Sequence, residues 1–223
     1  MGRRLGVGDT VPTSPGAGPS IPVRVAPPAV PYVGGMSDAH GPTAGRPVLV
    51  GLAGLPGSGK TTLAREVAVR LDAAHLRIDT IEAALTSSGL IEAAGGWRAA
   101  PDAGCRVAYA LARDLLAAGH HVVADSVNPL AATRFAWARV ASDAGSGHLD
   151  VEVVCSDRAI HQRRVEARTS DLDGLRVPTW AEVESRHYEP WDPPVVTVDT
   201  TDGIDEAVET VVSLVGAASQ GLP

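Results

Sequence analysis

Five short apolar runs alternate with longer segments of helical periodicity from Pro47 onward. The apolar runs are rich in β-branched residues, which is typical of strands that are covered on both faces. They predict strands at VLVGLA (48–53), AHLRID (74–79), HHVVADS (120–126), VEVVCS (151–156) and VVTVDT (195–200). The segments between them predict helices that begin near Thr61, Asp102, Leu130, Arg158 and Asp205. This alternation predicts an α/β fold with a parallel sheet.

The first 46 residues are dominated by proline and glycine and show neither helical nor strand periodicity. Such a segment lacks the apolar surface whose burial would offset the entropy of ordering it. We therefore predict a disordered extension over 1–46, one folded domain over 47–217 and a disordered tail over 218–223. Met36 is the only methionine after Met1, so either residue is a candidate start of translation.

Removal of residues 1–35 is expected to leave the melting temperature of the domain unchanged. The reason is that no periodic apolar face in this segment can dock on the folded core. Thermal unfolding of the full chain and of the shortened chain measures the effect, and a loss of several degrees would show that the segment packs.

Composition and charge exclude little, but they disfavour some classes of function. The net charge of −7 provides no basic field that would attract nucleic acid or an anionic membrane. Cys105 and Cys155 lie far apart in apolar segments and lack metal-ligand spacing, which predicts buried free thiols in a reducing compartment. No apolar run is long enough to span a bilayer. We expect a soluble, cytoplasmic protein without a membrane partner.

A glycine-rich segment lies between the first predicted strand and the first predicted helix. Its sequence, GLPGSGKTT, matches the pattern G-x-x-x-x-G-K-[ST], in which backbone N–H groups surround the phosphates of a nucleotide. We call this segment, residues 54–62, the phosphate loop. All of it is predicted to bind nucleotide: Gly54, Leu55, Pro56, Gly57, Ser58, Gly59, Lys60, Thr61 and Thr62.

Two residues of the phosphate loop have predicted chemical roles. Lys60 is the only lysine of the chain. Its compact ammonium is predicted to reach the β- and γ-phosphates, where the planar fork of arginine would not fit. The Thr61 hydroxyl is predicted to ligate Mg²⁺.

Asp125 follows the third predicted strand and is a candidate ligand of Mg²⁺, directly or through water. The alternative is that Asp125 caps the next turn, a position that aspartate favours. Ser126 follows it, whereas hydrolytic motors usually place a water-polarising carboxylate there. A phosphoryl transferase is therefore favoured over a motor.

Arg164 and Arg168 lie four residues apart after the fourth predicted strand, and we predict that they share one helical face. They are candidates for closing over the phosphates and stabilising the charge of the transition state. The alternative is a solvated surface on which Glu166 is their partner. The irregular segment 169–180 predicts a mobile lid that ends in a helix at TWAEVESRHY (179–188).

The phosphate loop, the aspartates after strands two and three, RRVEAR and PTWAEVESRHYEPW together resemble a group of small P-loop kinases. This group is called the AAA family ATPases and includes relatives of gluconate kinase, chloramphenicol phosphotransferase, zeta toxin and the polynucleotide kinase domain. The resemblance covers about Pro47 to Gly216. It implies a three-layer P-loop NTPase fold with a five-stranded parallel sheet in the order 2-3-1-4-5. It also implies ATP and Mg²⁺ as cofactors and phosphoryl transfer to a hydroxyl.

In that sheet order, Asp79 is expected to lie beside the γ-phosphate, where it could accept the proton of the acceptor hydroxyl. The alternative is that Asp79 caps a helix beginning at Thr80. Several relatives carry an arginine three residues after this aspartate, whereas this chain has Glu82. An anionic acceptor held by such an arginine is therefore disfavoured.

The favoured function is an ATP-dependent kinase that phosphorylates a hydroxyl of a small molecule. The first alternative is a nucleotide-binding switch or slow NTPase with a protein partner. A polynucleotide 5′-kinase is a third alternative, which the acidic balance and the lack of a basic stripe disfavour. The acceptor and the oligomeric state are left open.

Overall fold

A computed structural model describes residues 45–173 and 175–220 of the chain, which contain five strands and eight helices. The strands are β1 (Val48–Ala53), β2 (Ala74–Arg77), β3 (Val122–Asp125), β4 (Gly147–Val154) and β5 (Val196–Asp199). The helices are α1 (Lys60–Leu71), α2 (Ile78–Ser87), α3 (Leu90–Ala93), α4 (Ala103–Ala117), α5 (Ala131–Asp143), α6 (Arg158–Ala167), α7 (Trp180–Glu184) and α8 (Asp205–Ser219). Within the described ranges, no helix is long and apolar enough to cross a membrane.

The strands form one parallel sheet in the order β2-β3-β1-β4-β5, so the predicted fold and sheet order are confirmed. β1 lies in the centre, where Leu52 pairs with Asp125 of β3 on one side and with Val151 of β4 on the other. The carboxyl ends of β1 and β3 therefore meet at one edge of the sheet. Open α/β sheets bind their ligands at this edge.

Helices cover both faces of the sheet and produce three layers. Side chains alternate along β1: Val48, Val50 and Leu52 pack in one core with α1 and α8, whereas Leu49 packs in the other with α4 and α5. All four are fully buried. Because both faces of β1 are covered, its sequence is continuously apolar rather than alternating.

Several element boundaries differ from the predicted ones. β2 ends at Arg77, and α2 follows at once from Ile78, so no helix begins at Thr80. β4 starts at Gly147, four residues earlier than predicted, because its polar first half pairs with β1. The predicted helix over 179–188 is shortened to α7, whose N-cap Thr179 forms a reciprocal capping box with Glu182.

The ends of the predicted domain, 47 and 217, lie close to the ends of the described residues. Most of the predicted extension (1–46) and part of the predicted tail (218–223) lie outside them. Arg46 is described, and its guanidinium donates to Gly145 O (2.8 Å) and Ser146 O (2.6 Å). α8 continues to Ser219, whose hydroxyl donates to Arg46 O (2.8 Å).

Candidate active site

The phosphate loop connects the end of β1 to the start of α1. Its conformation requires glycine at two positions, where other parts of the chain approach the loop backbone closely. Gly54 has φ 140° and Gly57 has φ 84°, values that L-residues with a side chain rarely adopt. A Cβ on Gly54 would lie 2.2 Å from Val153 O, and one on Gly57 would lie 2.5 Å from Val165 Cγ2. β4 and α6 therefore press directly against the loop.

Other segments of the chain hold the loop backbone from three sides. Gly54 N donates to Val127 O (3.1 Å) in the segment after β3. The Thr200 hydroxyl, beyond β5, donates to Ser58 O (2.8 Å). His161 Nε2 of α6 donates to Pro56 O (2.8 Å). These three bonds connect the loop to the segments after β3 and β5 and to α6.

Asn128 supports the end of β1 and has a left-handed backbone conformation, with φ 44°. Asparagine is one of the few residues other than glycine that tolerate this left-handed region. Its side chain is buried, with 4% exposed, and its Nδ2 donates to Leu52 O (2.9 Å). Backbone and side chain at this position both support the edge that carries the phosphate loop.

Replacement of Asn128 by alanine is expected to destabilise the domain by about 2–3 kcal/mol, because it combines left-handed strain with a lost buried hydrogen bond. Asn128→Gly loses the hydrogen bond but relieves the strain, so it should cost about 1 kcal/mol less. Urea unfolding of the three proteins gives both values. Equal destabilisation in the two variants would show that φ at this position carries no cost.

Lys60 is the first residue of α1, and only 7% of it is exposed. Its Nζ donates to Leu55 O (2.8 Å), so the side chain folds back over the phosphate loop. Burial lowers the pKa of Lys60 to about 8, although the charges of Asp125 and Asp79 act in the opposite direction. The surroundings leave this ammonium short of negative charge, which bound phosphates would supply.

Asp125 is the last residue of β3, as predicted, and is almost fully buried. His75 Nε2 of β2 lies 3.3 Å from Asp125 Oδ2. Burial favours the neutral carboxyl, but the hydrogen bond to His75, the charge of Lys60 and the Thr61 hydroxyl hold the pKa of Asp125 below its usual value. Its contacts are therefore those of a charged side chain that faces the phosphate loop.

Asp79 lies in the first turn of α2 and is not its N-cap, because Arg77 occupies that position. The predicted alternative, a cap of a helix from Thr80, is therefore wrong. The Asp79 carboxylate is 37% exposed and lies 3.5 Å from Arg168 Nη2 and 3.8 Å from Arg77 Nη2. It is accessible to a ligand and has cationic neighbours.

One cavity of about 520 Å³ opens beside the phosphate loop and brings together five of the six predicted catalytic and metal-binding residues. Lys60, Thr61, Asp79, Asp125 and Arg168 all line it. The predicted catalytic and metal-binding residues thus share one space, apart from Arg164. The carboxylates of Asp79 and Asp125 lie near the ends of two different strands, β2 and β3, so only the fold brings them together.

A second cavity of about 500 Å³ lies on another side of the same loop. Gly57, Gly59, Thr62, Arg164 and Ile204 line it. Lys60, Thr61 and Arg168 line both cavities, so these three residues mark the boundary between them.

Arg164 and Arg168 do not share a helical face, contrary to the prediction. α6 ends at Ala167, and Arg168 has an extended backbone, with φ −69° and ψ 126°. Arg164 donates to Thr200 Oγ1 (2.9 Å), Thr200 O (2.7 Å) and Thr201 O (3.3 Å), which ties it to the segment after β5. Neither is paired with Glu166, which instead accepts from Gln162 Nε2 (2.8 Å).

An ion pair missed by the sequence reasoning attaches the predicted lid to the sheet. Buried Arg77 donates from Nη1 and Nη2 to the two carboxylate oxygens of Asp171, at 2.7 and 2.8 Å. Arg65 Nη2 also donates to Asp171 Oδ2 (3.0 Å). The alternation of side chains along β2 could have placed Arg77 on the same face as His75. No sequence signal indicated that Asp171 contacts Arg77 and Arg65.

A protein-family model described as an AAA domain (AAA_33) matches residues 49–186, from β1 to beyond α7. The match covers more than half of the chain. The chain belongs to this AAA-domain family.

Individual relatives agree with the family and the fold. The "Probable adenylyl-sulfate kinase" of Aeropyrum pernix is 26% identical over 179 residues, which cover 76% of this chain and 93% of that protein. The Mycobacterium tuberculosis APS kinase, solved with AMPPNP and APS, is 24% identical with a TM-score of 0.57 and covers 77% and 99% of the two chains. A Sinorhizobium meliloti gluconokinase is 17% identical with a TM-score of 0.53, covering 78% and 94%. At these identities, the two solved structures support the fold alone.

Together, these similarities confirm three predictions: the P-loop fold, the resemblance to small P-loop kinases, and the enzyme class of P-loop phosphotransferase. They do not specify the acceptor.

The phosphate loop and its surroundings also fit the predicted cofactors. Inside the loop, the buried Ser58 hydroxyl has no hydrogen-bond partner among the described residues. Because Gly54 and Gly57 have no Cβ, the loop backbone packs directly against Val153 and Val165. In residues 45–173 and 175–220, no group of three or more His, Cys, Asp or Glu side chains could hold a metal alone. Mg²⁺ would therefore need nucleotide oxygens as additional ligands, which is its usual mode of binding in such enzymes.

Proposed function

We propose that the protein is an ATP-dependent kinase that transfers the γ-phosphoryl group to a hydroxyl of a small molecule. One observation carries the proposal. The first cavity is lined both by Lys60 and Thr61 of the phosphate loop and by Asp79, a partly exposed carboxylate from a different strand end. A hydrolase needs space for water at the γ-phosphate, whereas about 520 Å³ is enough for a small acceptor molecule.

ATP would place its phosphates against the backbone N–H groups of the phosphate loop and the N-terminus of α1. Lys60 would exchange its bond to Leu55 O for contacts with the β- and γ-phosphates. The nucleoside would occupy the second cavity, between Arg164 and Ile204. In this arrangement Arg164 contacts the nucleoside, and Arg168 is the arginine that acts on the transferred group.

Mg²⁺ would be held by the Thr61 hydroxyl and by Asp125, directly or through water. When bound, the ion neutralises phosphate charge during transfer. Against the effect of burial, the hydrogen bond from His75 and the charge of Lys60 lower the pKa of Asp125 and keep its carboxylate ionised, as a metal ligand requires.

On the acceptor side, Asp79 would accept the proton of the hydroxyl as its oxygen bonds to the γ-phosphorus and the bond to the β,γ-bridging oxygen breaks. Arg168 lies 3.5 Å from Asp79 and also lines the second cavity. Its guanidinium can therefore neutralise charge on the transferred group. Asp79 binds and orients the acceptor, and Arg168 and Lys60 stabilise the phosphoryl group.

The names of the relatives support kinase activity, but they point to different acceptors. One is described as an adenylyl-sulfate kinase and another as a gluconokinase, so chains of this fold serve chemically different acceptors. The fold therefore supports phosphoryl transfer but does not select the molecule that receives it.

Release of ADP from ATP, measured with and without each member of an acceptor panel, tests the proposal. Sugars, antibiotics, nucleosides and amino alcohols form the panel, and mass spectrometry identifies the phosphorylated product. Acceptor-dependent ADP release with a matching product supports the kinase. Basal hydrolysis that no acceptor changes would instead support the nucleotide-binding switch or slow NTPase.

A further inference from the structure

Glu82 lines the first cavity from α2, three residues after Asp79. Residues with this spacing lie on one helical face, with Cβ atoms roughly 5–6 Å apart. The side chain is half-buried and extends across Gly104 of α4. A Cβ on Gly104 would lie 2.5 Å from Glu82 Cγ, so the glycine leaves the space that Glu82 fills. The two helices therefore pack closely around the Glu82 side chain.

Within residues 45–173 and 175–220, no cation forms an ion pair with this carboxylate. Among the described residues, Glu82 has no ion pair, whereas Asp79 lies near Arg168 and Asp125 lies near His75. Burial, followed by the charge of Asp79, raises the pKa of the Glu82 carboxyl. A half-buried carboxylate beside a second carboxylate is stabilised by any cation that enters the cavity.

Three arginines also line this cavity, but none of them forms an ion pair with Glu82. Arg168 is close to Asp79, and Arg176 donates to Glu182 Oε1 (2.7 Å). Arg186 also lines this cavity, and its charge contributes to the lowered pKa of Lys60. The cavity thus has a basic side at the phosphate loop and an acidic side on α2.

We propose that Glu82 selects acceptors that carry an ammonium group close to the hydroxyl to be phosphorylated, such as amino sugars or amino alcohols. This inference rests on the proposed kinase function. The hydroxyl lies at Asp79 and faces the γ-phosphate, and the ammonium lies one helical turn further along α2, at Glu82. A neutral acceptor would leave the Glu82 charge without a partner, and an anionic acceptor would be repelled by it.

The test compares matched acceptors in the full-length wild-type and Glu82→Gln proteins, with ATP and Mg²⁺ present. The probes are glucosamine against N-acetylglucosamine, ethanolamine against ethylene glycol, and gluconate as the anion. In each pair, wild type is expected to have the higher kcat/KM for the ammonium compound. Glu82→Gln should lower that value roughly tenfold to hundredfold, the effect of one charged hydrogen bond, and leave the neutral compound unchanged.

Two further variants separate charge from folding. Glu82→Asp keeps the charge and should retain most of the preference for the ammonium compound. Glu92→Gln changes an exposed residue of α3 outside the cavity and should behave like wild type. Melting temperatures of all four proteins confirm that each is folded.

A binding measurement makes the test independent of turnover. With a non-hydrolysable ATP analogue bound, glucosamine and ethanolamine should raise the melting temperature of wild type more than their neutral partners do, and Glu82→Gln should remove the difference. Equal shifts for both members of each pair would overturn the proposal. So would faster transfer to a neutral compound or to gluconate, although the kinase function would then stand. Loss of all acceptor-dependent ADP release, with the ammonium-dependent shift retained, would instead overturn the kinase function.

Discussion

Lys60→Arg is expected to abolish phosphoryl transfer although the positive charge is retained. Lys60 is 7% exposed and folds back to within 2.8 Å of Leu55 O, so a longer, planar guanidinium has no space between the loop and the phosphates. Loss of a donor aimed at the transferred group costs about 10²- to 10³-fold in rate. Acceptor-dependent ADP release under saturating ATP measures the effect.

Two comparisons make this result interpretable. Lys60→Met removes the charge and should be impaired to a similar extent as Lys60→Arg, because both lack a correctly placed ammonium. Arg70→Lys exchanges the same two side chains at an exposed site at the end of α1, where Arg70 pairs with Glu209 (2.8 Å), and should be fully active. Near-normal turnover of Lys60→Arg would contradict the assigned role.

Asp79→Asn is expected to lower acceptor phosphorylation by roughly 10²-fold or more, while the fold and the affinity for ATP are retained. General-base catalysis commonly contributes this much, and asparagine cannot accept the proton. Because Asp79 does not cap α2 and is 37% exposed, its replacement should have little effect on stability. Single-turnover transfer, nucleotide binding and thermal unfolding separate the three quantities.

Asp102→Asn is the matched control for this variant. Asp102 is an exposed N-cap of α4 whose side chain makes no capping bond, so its amide variant should retain activity and stability. If Asp79→Asn instead lost stability but kept its transfer rate per folded molecule, Asp79 would be structural. Asp125 would then be the next candidate base.

The sheet could be predicted because each strand carries its own local signal. β1 is apolar on both faces, and its covering by two cores explains that pattern. The end of β2 could not be placed, because Ile78 and Asp79 continue the strand pattern although their backbone is helical. In its helical conformation, the apolar side chain of Ile78 packs in the core that contains α4 and α5.

The phosphate loop was the most predictable part of the site, because all its residues are consecutive and each type has a backbone or charge requirement. Residues that act through long-range contacts gave weaker signals. The sequence predicts that Arg164 faces the phosphates but does not indicate its bonds to Thr200, because these depend on where β5 ends. The pairing of Arg77 with Asp171 joins residues 94 positions apart, and neither residue carries a recognisable motif.

The bracing of the phosphate loop has a consequence for the order of folding. The bond from His161 to Pro56 spans 105 positions, and the bond from Thr200 to Ser58 spans 142. Contacts of such high sequence separation form late, since each must first close a long chain loop. A nascent chain that has emerged only as far as β4 therefore carries the complete motif and its bond to Val127, but it lacks the bonds from His161 and Thr200. Nucleotide should be captured only once the last strand has joined the sheet, which makes ligand binding a reporter of complete folding.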